Sequence, residues 1–476
     1  MKIIIFGRGK IYNERRGDIP KDVEILGIID NNGKFYGQKA DGIEIFPPGE
    51  VKNYHYDYIV LMSDFAVEMK EQLLHLGCRS EKIIHYKDFF GLFPCEIKKY
   101  AGIENNKNLN RKTLLIVSVA LLFNGVPIVS LLTAKVAKKS GYSVTIAADA
   151  GDSRYIDEAV GNGIRVLICE NLKHMSAENL EWTNSYDIVL INSLPMLHLA
   201  VKISRKREVL VWVHESSAEY RHMEFWREEL QKELQKKEIK MYAPSERAKR
   251  HFIQYFHVEK QISIVPLGIE DKNNSVSLKK QFCYGIIGVL TYLKGQDIFM
   301  SAVEALSDDI AGESFFLLIG KRDMNEFSEK IVRRASMINN CILLGERTQQ
   351  EIQNLYERLD VVVVASREET VSMAAIEAMM MGKVCIVSNE TGIAEYIVHE
   401  ENGFVFQNEN EEELASIMRW CYQNQQQLKI IGTNARKTYE ENFSMHRFGM
   451  NIQNMLQNER NILQQEKNCT AVGCKN

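Results

Sequence analysis

Three short apolar runs, each followed by a loop that contains glycine and then by a helical pattern, divide this chain into similar segments. The runs and their loops are Lys2–Phe6 before Gly7-Arg8-Gly9, Thr113–Val119 before Asn124-Gly125, and Tyr284–Gly288 before Lys294-Gly295. Continuous apolar runs without alternation are typical of strands that are buried on both faces of a parallel sheet. The pattern therefore predicts an α/β fold of successive Rossmann-like units, each with a parallel sheet and helices.

Polar stretches between these units predict the domain limits. At about 150 residues per domain, the length of 476 residues suggests roughly three domains, and a polar segment at 101–112 is typical of a linker. The predicted parts are a small accessory domain at 1–100, a second domain at 113–270, a third domain at 275–440, a helix at 441–465 that crosses back, and a polar tail at 466–476.

Further strands and helices follow from the same patterns. In the first domain we predict strands at Val23–Ile29, Tyr58–Met62 and Lys82–Ile84, with a helix through Gln72–Leu76. In the second domain we predict a helix at Ile128–Ser140 and strands at Ser143–Ile146, Asp187–Ile191 and Val209–Val213.

Composition limits the classes of function. Hydrophobic residues make up 45% of the chain, which is enough for several cores, and the formal net charge of -4 gives no general attraction to nucleic acid. The nine cysteines are scattered without a Cys-x2-Cys pair, so we interpret them as reduced residues of a cytoplasmic protein. Cys469 and Cys474 lack further candidate ligands, and we predict no metal site.

Membrane association is predicted to be peripheral at most. No run of about 18 apolar residues occurs, and Met1 leads directly into a strand, so we expect a soluble protein that is not exported. The charged segment Arg221–Lys240 is interpreted as a solvated helix face. The alternative is a basic patch that contacts the inner face of the membrane.

Glu377 is the one charge in an otherwise apolar helix that follows the strand Val361–Val364. Its neighbours at helical spacing are Met373, Ala374 and Met380, so its face should be buried. Because an unpaired buried carboxylate is strongly disfavoured, we expect a partner for it.

Glu369 lies eight residues before Glu377, at the carboxyl end of the valine strand, and the start of the helix lies between them. This arrangement suits a nucleotide sugar, because a helix N-terminus binds a diphosphate and carboxylates accept hydrogen bonds from the hydroxyls of the sugar and the ribose. Thr370, Val371 and Ser372 at the helix start are predicted to bind the same donor. The alternative is that Glu377 bonds a nearby backbone group or arginine and that Glu369 is only a charge in the first helical turn.

The residues after this helix continue in a recognisable order. Glu369, seven residues, Glu377-Ala378-Met379 and Gly382 are followed by Lys383–Ser388, Thr391–Glu395 and Asn402–Val405. This ordered set resembles the family 4 glycosyltransferases, which are retaining enzymes of the GT-B fold. The resemblance implies two facing Rossmann-like domains with a nucleotide-sugar donor between the second and third domains. It also implies a glycan or lipid-linked acceptor, front-face attack, and no cofactor beyond the donor itself.

The resemblance implies further site residues. Gly288 to Gly295 is similar to the family's Gly-Arg-Leu and Lys-Gly element, with Val289 in the place of the arginine. Because the chain contains no Asp-x-Asp triplet to hold a metal, Lys294 is expected to neutralise the leaving diphosphate. The alternative for Lys294 is an ordinary surface lysine.

Two residues of the second domain complete the predicted site. Gly125 matches the second position of the family's Gly-Gly loop, where glycine permits close approach of the backbone to a phosphate; the alternative is a simple turn. His214 follows the strand Val209–Val213, at the edge where open α/β sheets bind ligands. We predict that His214 stabilises the transition state through its carbonyl or imidazole, and the alternative is a structural histidine.

The N-terminal domain contains a partial dinucleotide pattern, with Gly7 and Gly9 after the first strand and Asp30 after the second. Tyr12 occupies the position of the third glycine. The domain is similar to small Rossmann-like modules fused to bacterial carbohydrate enzymes, and we favour a scaffold or nucleotide sensor over a working NAD site. Two rival functions remain open, namely a catalytically silent GT-B protein that binds glycans or stabilises a partner, and an NAD(P)-linked oxidoreductase. The donor, acceptor, linkage and oligomeric state are not encoded in these motifs.

Overall fold

A computed structural model describes residues 1–101, 111–123, 125–204, 209–235, 239–272 and 281–457. The linker residues 102–110, Asn124 and residues 458–476, which contain the predicted tail with Cys469 and Cys474, lie outside the described residues. None of the helices in the described ranges combines the length and the apolar character needed to cross a bilayer.

The strands and helices alternate along the chain, as the apolar runs predict. The strands are β1 (Lys2–Phe6), β2 (Glu24–Ile29), β3 (Lys39–Ala40), β4 (Ile43–Phe46), β5 (Tyr58–Leu61), β6 (Ile83–His85), β7 (Ile97–Tyr100), β8 (Thr113–Val117), β9 (Ser143–Ala148), β10 (Arg165–Cys169), β11 (Ile188–Ile191), β12 (Val209–Trp212), β13 (Ile239–Ala243), β14 (Ile262–Ile264), β15 (Phe282–Ile287), β16 (Ser314–Ile319), β17 (Cys341–Gly345), β18 (Val361–Val364), β19 (Val384–Ser388) and β20 (Phe404–Phe406). The helices are α1 (Lys10–Arg15), α2 (Ala66–His75), α3 (Tyr86–Gly91), α4 (Gly125–Lys139), α5 (Ser153–Gly161), α6 (Leu197–Ser204), α7 (Ser217–Tyr220), α8 (Arg227–Leu234), α9 (Glu246–Phe256), α10 (Gln296–Glu304), α11 (Asp308–Glu313), α12 (Glu326–Ser336), α13 (Gln349–Arg358), α14 (Met373–Met380), α15 (Glu411–Gln423) and α16 (Gln425–Asn442).

Residue contacts divide the chain into two compact units. The first unit comprises Met1–Val211, Glu219–Lys240 and Phe256–Glu259, and the second comprises Trp212–Ala218, Met241–Tyr255 and Lys260–Asn476. The three predicted domains and their limits therefore stay a prediction.

The N-terminal sheet of the first unit has the strand order β3-β4-β2-β1-β5-β6. Its strands pair in parallel except for β3 with β4. The side chains of β1 are buried on both faces, because Ile4 and Phe6 belong to one apolar cluster and Ile3 and Ile5 to another. The short strands β3 and β4 at the edge of the sheet were not predicted.

The other strands of the first unit run in the order β12-β11-β8-β9-β10-β7. Strand β7 pairs antiparallel with β10, although it falls within the accessory domain predicted at 1–100. Backbone segments also approach closely, because a Cβ atom on Gly91 would lie 1.9 Å from the carbonyl oxygen of His174. Elements at the end of the predicted accessory domain therefore contact other elements of the same unit.

The interpretation of Arg221–Lys240 as a solvated face is wrong for part of this segment. Met223, Leu230 and Leu234 are buried, and the indole Nε1 of Trp226 donates to Asp88 at 2.5 Å. Apolar side chains at these positions pack onto the first unit, and the charges between them lie outward.

The sheet of the second unit has the order β17-β16-β15-β18-β19-β20, and all of its strand pairs are parallel. Strand β18 consists of four valines and is fully covered, because Val361 and Val363 face one apolar cluster and Val362 and Val364 face another. Strands β13 and β14 form a further parallel pair.

Residues 445–457 at the end of the described chain are helical, within the helix predicted at 441–465. The Phe448 ring of this helix stacks against Trp212 with 6.3 Å between centroids. A Cβ atom on Gly268 would lie 2.3 Å from the Cβ atom of Phe448, so the glycine permits this close contact.

Candidate functional site

Lys294 and Glu369 form an ion pair at the carboxyl end of β18. The Lys294 ammonium lies 2.7 Å from Oε1 of Glu369, and the hydroxyl of Ser366 donates to Oε2 at 2.8 Å. The Glu369 side chain is 15% exposed and that of Lys294 is 33% exposed, so both reach solvent at the sheet edge. The structure thus brings two predicted site residues together although 75 positions separate them.

The loop before α10 holds Lys294 in this position because of the glycine that follows it. Gly295 has a left-handed backbone with φ of 67°, and a Cβ atom there would lie 1.9 Å from the carbonyl oxygen of Ala365. Gly288 lies beneath the lysine, since a Cβ atom on it would meet the Lys294 Cδ atom at 3.4 Å. Glycine at 295 is therefore required for the close approach of this loop to the end of β18.

Arg367, which was not among the predicted site residues, fixes the same loop. Its guanidinium donates to both carboxylate oxygens of Asp297 at 2.9 and 2.8 Å and to Glu409 at 2.7 Å. It also lies over the Tyr292 ring at 3.7 Å from the centroid. Burial by itself would lower the pKa of Arg367, but these hydrogen bonds outweigh it and raise the pKa of Arg367. Val289, where the resemblance expects an arginine, is 40% exposed and brings no cation.

Glu377 has a partner that differs from both alternatives suggested by the sequence. The hydroxyl of the buried Tyr356 lies 2.8 Å from Oε2 of Glu377, and 3.1 Å from the carbonyl oxygen of Ala374. Burial raises the pKa of Glu377, and the hydrogen bond from Tyr356 opposes that shift. Within the described ranges the other carboxylate oxygen, Oε1, accepts no hydrogen bond.

The predicted residues at the start of α14 have distinct contacts. The hydroxyl of Thr370 donates to the carbonyl of His214 at 2.6 Å, and the carbonyl of Thr370 accepts from Ser245 at 2.7 Å. Ser372 is the N-cap residue, whose hydroxyl accepts from the backbone N–H of Ala375 at 3.4 Å. Val371 packs against the apolar cluster beneath β18.

His214 lies in the second unit and is buried against Trp212, with 4.5 Å between the ring centroids. Burial lowers the pKa of His214 to about 3, so the imidazole is neutral at physiological pH. Its carbonyl already accepts the hydrogen bond from Thr370. The geometry places His214 beside the predicted helix start.

Several charged residues near this sheet edge were not predicted. Glu368 accepts hydrogen bonds from the backbone and hydroxyl of Ser217 and lies 3.4 Å from His251. Arg247 pairs with Glu390 at 2.6 Å. Their partners come from distant parts of the chain, and no local spacing could have indicated them.

The remaining predicted residues lie in the first unit. Gly125 begins α4 with φ of 40°, and a Cβ atom there would meet no atom within 4 Å. Gly7 has φ of 97° and donates its N–H to Ile29 at 3.0 Å, while Gly9 precedes α1. Asp30 accepts from the backbone N–H of Asn32 at 2.8 Å.

Tyr12 lies at the helix start where a dinucleotide site needs space. Its side chain is only 2% exposed, and its hydroxyl donates to Asp41 at 2.8 Å. The ring therefore contributes to the apolar core of the N-terminal sheet, as expected if the dinucleotide pattern is degenerate.

The comparison with protein families assigns the segment that contains the glutamates. Residues 269–438 match the family of the group 1 glycosyl transferases. Residues 1–84 match a different family, described as C2185-like, N-terminal. The group 1 match covers the sheet of the second unit, Lys294, Glu369 and Glu377.

Curated relatives are similar over part of their length. The uncharacterized glycosyltransferase MJ1607 of Methanocaldococcus jannaschii is 27% identical over 33% of this chain and 40% of its own length. The lipopolysaccharide 1,2-N-acetylglucosaminetransferase of Salmonella typhimurium is 23% identical over 44% of this chain and 62% of its own. An Escherichia coli UDP-Gal:alpha-D-GlcNAc-diphosphoundecaprenol alpha-1,3-galactosyltransferase is 23% identical over 39% of this chain and 51% of its own. The chain thus spans between 40% and 62% of the length of these relatives.

Solved structures show the same fold. Anabaena Alr3699/HepE in complex with UDP has a TM-score of 0.63 at 18% identity, covering 73% of this chain and 100% of that chain. A glycosyltransferase from Rickettsia africae has a TM-score of 0.60 at 20% identity, covering 73% and 98%. The predicted fold class is confirmed as α/β of the GT-B type, with an additional N-terminal sheet.

Proposed function

We propose that this protein is a glycosyltransferase that moves a sugar from a nucleotide-sugar donor to a glycan or lipid-linked acceptor. The observation that carries the proposal is the pairing of Lys294 with Glu369 at the carboxyl end of β18, beside the start of α14. Both residues lie within the segment that matches the group 1 glycosyl transferases. The names of the relatives, which include transferases for lipopolysaccharide and for a diphosphoundecaprenol acceptor, support this acceptor class.

The roles follow from the chemistry of the departing group. A nucleoside diphosphate gains negative charge as the bond to the sugar breaks, and fixed positive potential stabilises that charge. Lys294 supplies the cation, and the first backbone N–H groups of α14 supply further donors. Glu369 orients Lys294 in the free protein and accepts hydrogen bonds from the hydroxyls of the bound sugar. Oε1 of Glu377 accepts hydrogen bonds from the ribose hydroxyls. Gly125 and the neutral His214 are assigned to the donor site on the resemblance alone.

Transfer is proposed to proceed with retention and without a metal. The bond between the anomeric carbon and the phosphate oxygen breaks, and the acceptor oxygen forms its bond on the same face. The proton of the acceptor hydroxyl goes to the departing phosphate oxygen, which balances the charge. This reaction mechanism rests on the resemblance to retaining transferases. The cytoplasmic location is likewise a proposal.

The deciding experiment is a thermal-shift screen of UDP-, GDP-, ADP- and dTDP-sugars in EDTA, followed by an assay of nucleotide release. UDP-sugars come first, because Alr3699/HepE is described in complex with UDP. A donor at about 100 times its dissociation constant should stabilise the protein by roughly 2.7 kcal/mol. If no nucleotide sugar shifts the melting temperature or is hydrolysed, the silent GT-B alternative replaces this proposal.

A further inference from the structure

A second polar cluster lies in the first unit and contains none of the residues assigned to the donor. Asp88 of α3 accepts hydrogen bonds from Nδ1 of His174 at 3.0 Å and from the indole of Trp226 at 2.5 Å. Lys202 lies 3.8 Å from the same carboxylate. Burial by itself would raise the pKa of Asp88, but the hydrogen bond from His174 outweighs it and holds the pKa of Asp88 well below its usual range. Asp88 is therefore ionised, and its carboxylate can only accept hydrogen bonds.

The tautomer of His174 follows from this contact. An ionised carboxylate accepts a hydrogen bond from the N–H at Nδ1, so in the neutral ring Nε2 carries a lone pair. Burial lowers the pKa of His174, which keeps the ring neutral although Asp88 opposes the shift. The cluster thus holds a hydrogen-bond acceptor in a fixed orientation.

Two imidazole nitrogens of this cluster have no hydrogen-bond partner in the part of the chain that the structure describes. Nε2 of His174 and Nε2 of His198 are both buried, and within the described residues neither forms a hydrogen bond. His174 is 3% exposed and His198 is 6% exposed, and their rings lie 5.8 Å apart. Leaving a buried polar atom unsatisfied costs about 1–3 kcal/mol, so such atoms normally have a partner.

Both histidines line a cavity of about 380 Å³, and Trp226 forms part of its wall. This volume lies within the range of small-molecule sites. The cavity lies where β5 and β6 end and where the loops after β10 and β11 begin, and open α/β sheets bind ligands at such carboxyl ends. The indole of Trp226 stacks edge-on against His198 at 4.6 Å.

Two lysines make the same cavity attractive to an anion. Lys87 and Lys173 both line it and are half-buried. Burial lowers the pKa of Lys87, and the positive charge of Lys173 lowers it further. In the described part of the chain neither lysine takes part in a salt bridge. The carboxylates of Asp64, Glu219 and Glu224 line the cavity at exposed positions, where they can accept hydrogen bonds from the hydroxyls of a ligand.

We propose that this cavity binds a sugar phosphate. The phosphate lies between Lys87 and Lys173, a sugar hydroxyl donates to Nε2 of His174, and the sugar ring packs against Trp226. Because none of the residues that line the cavity is assigned to the donor, it is a ligand site in addition to the proposed donor site and does not depend on transferase activity.

The test uses the full-length protein and isothermal titration with glucose 1-phosphate, inorganic phosphate and glucose as separate probes. We expect glucose 1-phosphate to bind more tightly than either other probe. The double substitution Lys87→Met with Lys173→Met should weaken binding about tenfold or more, because charge-assisted hydrogen bonds contribute about 1.5–3 kcal/mol each. The matched control is Lys98→Met with Lys99→Met at exposed positions of β7, which removes the same charge and should leave binding unchanged.

Two further variants separate this site from the donor site and from a folding defect. Lys294→Ala should leave glucose 1-phosphate binding unchanged, since Lys294 belongs to the second unit. His174→Gln, which removes the proposed acceptor Nε2, should weaken binding while circular dichroism shows an intact fold. The proposal is overturned if glucose 1-phosphate does not bind at millimolar concentration, or if inorganic phosphate binds equally well. It is also overturned if binding survives the Lys87 and Lys173 substitutions, or if binding is lost in Lys294→Ala.

Discussion

Replacing Glu377 by glutamine should separate the stability of the protein from its affinity for a donor. In the structure one carboxylate oxygen accepts the Tyr356 hydroxyl at 2.8 Å, and glutamine can retain that contact through its carbonyl oxygen. Burial raises the pKa of Glu377, so the folded protein binds this proton more tightly than the unfolded chain does. The ionised side chain is therefore a local cost to folding.

The sign of the pH dependence follows from this shift. A carboxyl group with a raised folded pKa contributes stability that is fully present below the unfolded pKa of about 4.3 and is lost as the pH rises through the folded pKa. Glu377→Gln cannot ionise, so it should be more stable than the parent protein at neutral pH. That advantage should shrink as the pH falls towards the unfolded pKa.

Donor affinity should change in the opposite direction. If Glu377 accepts ribose hydroxyls, the loss of a charge-assisted hydrogen bond costs about 1.5–3 kcal/mol, which corresponds to a loss of about tenfold to a hundredfold in affinity. Calorimetry with the donor found in the thermal-shift screen measures this, and denaturant unfolding over a range of pH measures the stability.

The matched control is Glu441→Gln, which removes an exposed carboxylate from α16 in the same unit. It should change neither donor affinity nor the pH dependence of unfolding. An unchanged donor affinity in Glu377→Gln, with only the stability altered, would show that Glu377 is structural and would refute the assigned role.

Three further predictions test neighbouring parts of the argument. Lys294→Ala should reduce turnover more than it weakens binding of the bare sugar, and turnover in the parent protein should persist in EDTA; strict dependence on added Mg²⁺ or Mn²⁺ would contradict the metal-free mechanism. Gly295→Ala should destabilise the protein by more than about 2 kcal/mol in denaturant unfolding, because of its positive φ and the approach of Ala365. Gly312→Ala within α11 is the control, and it should be neutral or stabilise by up to about 1 kcal/mol. Removing residues 1–107 should lower the melting temperature, because β10 loses its partner strand β7 and His174 loses its hydrogen bond to Asp88. Donor binding should persist. An unchanged melting temperature would favour an independent accessory domain.

Much of the fold could be predicted because its central strands are encoded locally. Strands β1, β8, β15 and β18 were found from their apolar runs, since a strand covered on both faces needs apolar residues at every position. The edge strands β3 and β7 and the short strand β4 were missed, because they carry charged and polar residues and are defined by the strands beside them. The apolar strands β10, β16 and β17 were not predicted either.

The candidate site divides in the same way. The spacing from Glu369 to Glu377 along one strand, loop and helix is a local property, so the sequence by itself indicated both carboxylates and the helix start between them. It also indicated that Glu377 needs a partner, but the partner Tyr356 comes from a different helix, α13. The pairing of Lys294 with Glu369 was likewise not predicted, although both residues were.

Only the tertiary structure decided which distant groups meet. Arg367 reaches Asp297 across 70 positions, and Asp88 reaches His174 across 86. Such contacts depend on the order of strands in a sheet and on which loops share an edge, and neither is written in the hydrophobic pattern, which records only the burial of each segment. The sequence determined the elements and the types of chemical group at their ends, and the packing of the sheets decided which of those groups act together.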